Sequence, residues 1–199
     1  MGFGWLIVGY FMTSVVSLYS PLSFAMLAGY PMMILALWKL APYQRHFRTA
    51  LRVSLFSLPF AIYYAIYSFG MLGLGAVPIF GEPLWTVVEW LYFAYTLALV
   101  VLILTAITAL CRELYLVKLQ GTAMRNIILI AFTYSADLFG RLPFLGNVQS
   151  VFALISLFMR LIIIFLNIYL FYGCYRYIAP EGEEWRQSLK QHKKGEGEK

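Results

Sequence analysis

The chain reads as an all-α, polytopic transmembrane helix bundle of six spans with both termini cytoplasmic. Three observations carry that reading. Of 199 residues, 62% are hydrophobic and 12% charged, against about 25% charged in an average soluble domain. Mean hydropathy is +0.77. The basic residues gather in short connectors between apolar runs, as cytoplasmic loops do under the positive-inside rule.

The first apolar run carries no charge from Met1 to Trp38, far longer than the roughly 20 residues one span needs. Ser20-Pro21 divides it, because proline lacks the helical N–H and restricts its predecessor. Spans over 3–19 and 22–40 follow, with Gly29-Tyr30-Pro31 as a kink in the second. If 1–40 were one bent span instead, the chain would have five spans and an external N-terminus. The first connector, Lys39 to Arg52, holds Lys39, Arg45, His46, Arg48 and Arg52. Phe47 and Leu51 lie four apart, as do Arg48 and Arg52, so a short helix on the membrane surface is expected. Arg45, Arg48 and Arg52 are then placed to meet anionic lipid headgroups at about 1 kcal/mol each. A topology signal without lipid specificity explains them equally well.

The third span covers 53–69, with Pro59 inside. Residues 70–83 are rich in Gly and Pro and read as a loop. The fourth span, 84–111, is long enough to tilt. A second basic connector runs from Arg112 to Arg125. The fifth span, 126–145, is broken by Gly140 and Pro143. Its unbroken part is roughly 21 Å long, short of a hydrocarbon core of about 30 Å. The sixth span covers 147–175. Residues 1–178 thus form a single domain, and 179–199 a polar, flexible cytoplasmic tail. Thirteen of the fifteen Lys and Arg fall on one side of this arrangement, all but Arg141 and Arg160. That side is the cytoplasmic one, and the cytoplasmic membrane of a bacterium is the expected location.

Topology also accounts for the net charge of +6, so no nucleic-acid partner is expected. The partners are the lipid bilayer and, through the arginines, its headgroups; the chain is silent on protein partners and self-association. Cys111 and Cys174 stand near cytoplasmic helix ends, where thiols stay reduced, and read as small packing residues. The N-terminus has no basic n-region and no small-x-small cleavage site, so an uncleaved first span is expected. A faint internal similarity, Ala36–Lys39 with Ala109–Arg112 and Thr49–Arg52 with Thr122–Arg125, is best explained by shared helix-end chemistry.

The residues Gly29-Tyr30, Leu35, Leu37, Lys39-Leu40, Tyr43, Phe47, Ala50 and Arg52 resemble an uncharacterised bacterial family of small multi-pass membrane proteins. A weaker echo runs through Leu110–Arg125. The resemblance covers about half the chain. It implies an integral membrane fold and no assigned activity.

The informative residues are the ionisable ones inside the last three spans: Glu89, Asp137, Arg141 and Arg160. A charge at the middle of a span costs about 2.5–3.5 kcal/mol on insertion scales, so it faces protein or water and finds a partner. Asp137 and Arg141 lie four apart on one helix face. Arg160 lies roughly 18 Å from the outer end of its span, at a depth close to that of Asp137. Glu89 is level with Arg141. The four are therefore expected to form a cluster linking the last three spans. Polar stripes support them. Gln149, Ser156, Arg160, Asn167 and Cys174 repeat at spacings of four and seven. Asn126, Thr133 and Asp137 share a face, and so do Trp85, Glu89, Tyr92 and Thr96. Three stripes facing one another would form a polar seam. Such charges can equally do no more than fix helix register.

No H-E-x-x-H, G-x-S-x-G, P-loop or G-x-G-x-x-G pattern occurs. Ser135 precedes Asp137, but no histidine lies in the spans to act as a base. His46 and His192 lack neighbours at ligand spacing, so neither a metal nor another cofactor is expected. Gly73-Leu74-Gly75 reads as loop punctuation. An enzyme is therefore not expected. The leading expectation is a polar intramembrane site for small-solute or ion movement, in which an interrupted fifth helix borders the site. The alternative is a non-catalytic membrane subunit or regulator whose buried charges only fix packing.

Overall fold

A computed structural model describes residues 2–15, 20–71, 82–140 and 148–178. Among them all regular structure is helical and there is no strand. Seven α-helices follow in order: α1 Gly2–Ser14, α2 Met26–Leu40, α3 Arg45–Ser54, α4 Ser57–Met71, α5 Glu82–Glu113, α6 Val117–Gly140 and α7 Val148–Ile178. A 3-10 turn, Ser20–Ala25, leads into α2. Arg141, Pro143, most of the 70–83 loop with Gly73-Leu74-Gly75, and the 179–199 tail lie outside the described residues.

Four helical runs are long and apolar enough to cross a membrane: Leu22–Leu40, Arg45–Gly70, Thr86–Glu113 and Ser150–Ile178. The helix α1 has 13 residues, and α6 carries Lys118, Arg125 and Asp137 among its apolar positions. The surface fits this setting. Phe56, Ile128, Phe132, Phe158 and Phe165 all stand exposed, an outward apolar cover that water would not tolerate over so many helices.

The run Arg45–Gly70 owes its internal break to Pro59. A proline ring clashes with the carbonyl four residues back and offers no N–H, so the helix stops at Ser54 and restarts at Ser57. This puts Pro59 in the first turn of α4, where its missing N–H costs nothing. Ser54 and Ser57 donate to Leu51 O at 2.8 Å and Ser54 O at 2.5 Å, satisfying polar groups at the break. In α3 the buried face holds Phe47 and Ala50, and Arg45, Arg48 and Arg52 stand on the exposed side. The Gln44 side chain caps Arg45 N, and its Nε2 donates to Glu113 Oε1 at 2.8 Å. The basic connector is thereby tied to the end of α5.

The second connector is far shorter than the expected Arg112–Arg125. Helix α5 runs to Glu113 and α6 starts at Val117. Between them Tyr115 takes φ 57°, with Tyr115 N donating to Arg112 O and Leu116 N to Cys111 O. That pair of bonds is a Schellman close, which satisfies the last carbonyls of α5 and reverses the chain at once. Residues 117–125 then stay helical because Lys118, Leu119, Gln120, Ala123, Met124 and Arg125 favour helix and Ala123 is fully buried. Helix α6 thus spans roughly 36 Å, and the short run from Asn126 is only its outer part.

The helices close into a ring. Helix α1 packs on α2 and α7, α7 on α6, α6 on α5, and α3 joins α5 back to α2. The tightest crossing is α1 on α2, where Gly9 and Gly29 face each other. A Cβ on Gly9 would fall 2.8 Å from Gly29 O, and one on Gly29 would fall 3.1 Å from Gly9 O. Towards the basic connectors the ring is filled by Leu6, Leu37, Phe47, Ile103, Leu104, Ile107, Leu170 and Phe171, all fully buried. Cys111 and Cys174 are buried in the same region, their thiols within hydrogen-bonding reach.

Candidate functional site

The other half of the ring lines a partly open cavity of about 560 Å³, within the usual range for small-molecule sites. Every helix except α3 contributes to its wall. The helix α1 brings Tyr10 and Thr13, α2 Tyr30 and Met33, and α4 Tyr64 and Tyr67. Glu89, Tyr92 and Thr96 come from α5, Thr133 and Tyr134 from α6, and Arg160 and Ile164 from α7. Helical spacing explains why these residues converge. Tyr64 and Tyr67 lie three apart, and Glu89, Tyr92 and Thr96 fall at i, i+3 and i+7, so each set lies on one helix face.

Asp137 and Arg160 meet across the α6–α7 interface. Arg160 Nη2 donates to Asp137 Oδ2 at 3.2 Å. Ser156 Oγ lies 3.4 Å from Asp137 Oδ1 and 3.0 Å from Ala153 O. The carboxylate is the more enclosed partner: the Asp137 side chain is 15% exposed and that of Arg160 38%. Arg160 faces the cavity and Asp137 backs it from behind. Among the described residues, Nε and Nη1 of Arg160 make no hydrogen bond. Glu89, half-buried on the α5 wall, likewise has no hydrogen-bond or ion-pair partner among them. It shares the cavity with Arg160 and takes no part in the pair. Arg141, the remaining member of the expected cluster, lies outside the described residues, as do the side chains of Trp85 and Gln149.

The supporting polar residues form two networks. In the first, Tyr30 and Tyr92 share a hydroxyl–hydroxyl bond of 2.9 Å, and Tyr134 donates to Thr96 Oγ1 at 3.1 Å. These bonds stitch α2, α5 and α6 around the cavity. Thr96 and Thr133 donate to Phe93 O and Leu129 O of their own helices, the usual way a hydroxyl is satisfied without water. In the second network, deeper towards the packed core, Asn126 Nδ2 donates to Asn167 Oδ1 and Asn167 Nδ2 to Tyr10 Oη, both at 2.9 Å. Both asparagines are fully buried. This chain links α6, α7 and α1. Asn167→Leu removes the partner of the buried Asn126 Nδ2 and the donor to the Tyr10 hydroxyl, so it is expected to cost about 2 kcal/mol. Denaturant titration in detergent micelles measures this, and a loss indistinguishable from zero would mean the chain of amides contributes no stability.

The cavity tyrosines Tyr10, Tyr30, Tyr64, Tyr67 and Tyr134 were not singled out from sequence. Fifteen tyrosines in an apolar chain fit the membrane–water boundary, and that expectation hides the ones that turn inwards. Spacing with other polar residues is the signal that separates them, as in Tyr10-x-x-Thr13. No metal-ligating group of three or more His, Cys, Asp or Glu occurs among the described residues.

Compared with protein families, with curated proteins and with solved structures, the chain matches none of them.

Proposed function

We propose that this chain is a small, non-enzymatic membrane protein of the bacterial cytoplasmic membrane that binds a small solute or ion inside the bilayer and moves it across. One observation carries the reading. Glu89 on α5 and Arg160 on α7, the two helices that flank α6, line one cavity, and neither has its full set of partners among the described residues. A charge held within a membrane protein needs a counter-group or water, and a bound solute supplies one. The cavity lies on the side away from Lys39, Arg45 and Arg112, and the apolar core closes it towards them. With the basic side cytoplasmic, this is an outward-facing or occluded form. Movement then requires the layer of Leu37, Ile103, Leu104 and Leu170 to part.

The test is flux into proteoliposomes across a panel of inorganic ions, protons and small organic cations and anions. Glu89→Gln is expected to lower the flux about tenfold with little change in stability, since Glu89 makes no hydrogen bond among the described residues. If the unaltered chain moved nothing in the panel, the transport reading would be lost. The Asp137–Arg160 ion pair supports a second reading, in which the charges hold α6 to α7 in a non-transporting subunit. A stoichiometric protein partner that co-purifies with the chain, together with absent flux, would favour it.

A further inference from the structure

Resting on the binding role proposed above, we infer that the cavity takes a small zwitterion with an apolar body: its anionic group on Arg160, its ammonium on Glu89. The charges themselves define this class. Arg160 lines the cavity with one nitrogen engaged by Asp137, and its remaining N–H donors make no hydrogen bond among the described residues. Those donors suit a carboxylate or phosphate oxygen, which the planar guanidinium binds through paired N–H bonds. Glu89 is an acceptor-only group without a protein donor among the described residues, and it suits an ammonium.

A purely anionic ligand would satisfy Arg160 and leave Glu89 repelling it. A purely cationic ligand would satisfy Glu89 and leave the remaining N–H donors of Arg160 unanswered. Only a molecule carrying both signs answers both residues at once. The aromatic wall favours the cationic end. Tyr64 and Tyr92 pack with ring centroids 4.8 Å apart, and Tyr92 lies one turn from Glu89. Ring faces beside a carboxylate are the setting in which ammonium groups bind. The apolar body has its own place. Met33, Leu99, Ile130 and Ile164 form the remaining wall, where a hydrocarbon or aromatic side chain loses water without losing hydrogen bonds.

The experiment uses the full chain in nanodiscs of phosphatidylglycerol, which bring no zwitterionic headgroup. Three probes share one apolar body: phenylalanine carries both charges, phenethylamine only the amine, and phenylpropionate only the carboxylate. Phenylalanine is expected to bind about tenfold or more tighter than either half-probe, one charged hydrogen bond being worth at least that factor. Glu89→Gln should bring phenylalanine down to the level of phenylpropionate. Arg160→Lys, which keeps the charge beside Asp137 but loses the planar fork, should weaken phenylalanine and phenylpropionate together and leave phenethylamine unchanged.

Equal binding of a half-probe and phenylalanine overturns the inference, and so does Glu89→Gln without effect. Absence of phenylalanine binding in phosphatidylglycerol also overturns it. Flux of an inorganic ion with no preference among the three probes would sink this inference and leave the transport reading standing. No flux and no binding would sink both. A parallel set of nanodiscs containing phosphatidylethanolamine identifies the source of the zwitterion. If that lipid abolishes phenylalanine binding, a headgroup occupies the site; if it has no effect, the ligand is a free solute.

Discussion

Asp137→Leu alone is expected to destabilise the folded chain by roughly 2–3 kcal/mol, and Asp137→Leu with Arg160→Leu to restore most of that loss. The asymmetry is the informative part. Removing the carboxylate strands a guanidinium between α6 and α7, where a charge at mid-span already costs about 2.5–3.5 kcal/mol. Arg160 is 38% exposed, so its cavity face relieves part of that cost. This keeps the figure below the 3–5 kcal/mol typical of breaking a fully buried pair. Removing both charges deletes the cost along with the bond, and two leucines fit the apolar faces beside Ile163 and Ala136. Denaturant titration of the purified single and double variants measures the difference. A double variant as unstable as the single one would mean the two residues are not energetically coupled. The double variant should also lose phenylalanine and phenylpropionate selectively while remaining folded and still binding phenethylamine through Glu89, which separates the clamp from the binding site.

The second large effect concerns the α1–α2 crossing. Gly9→Val is expected to cost about 3 kcal/mol or more. A Cβ at this position falls 2.7 Å from Met33 Cγ, and it also falls 2.8 Å from both Gly29 O and Met33 N. Two of those atoms are backbone and cannot turn aside, so the helices must separate. Close approach through small residues is how helices adhere where no hydrophobic effect drives them together. The loss would spread beyond the hairpin, because Tyr10 and Thr13 of α1 line the cavity and Tyr10 accepts from Asn167. Gly121→Ala is the matched control. Nothing lies within 4 Å of its Cβ position, and alanine should stabilise α6 by up to about 1 kcal/mol. Thermal unfolding of both variants checks the pair, and equal effects would refute the contact argument.

Much of the site was legible from spacing. Asn126, Thr133 and Asp137 had to share a face of α6, and Ser156, Arg160 and Asn167 a face of α7, since intervals of four and seven return to the same side of a helix. Depth along each span then put Asp137 beside Arg160. Glu89 shows where such arithmetic stops. Its height in the bundle was readable, but whether it turned towards Arg160 or towards empty space depends on how far α5 stands from α7. The cavity tyrosines were hidden for a related reason: one side chain suits the lipid boundary and an interior wall equally well.

The membrane class follows from composition, because no chain this apolar could hide its surface from water, and the helical stripes follow from the fixed pitch of the helix. Those properties are local and need no knowledge of neighbours. The order of the helices around the ring and the space it leaves between Glu89 and Arg160 arise otherwise. They depend on which helices touch, which is set by contacts between residues far apart in the chain, such as Gly9 with Gly29, Tyr30 with Tyr92 and Tyr10 with Asn167. Packing of that kind is a property of all the helices together, so no single segment encodes it.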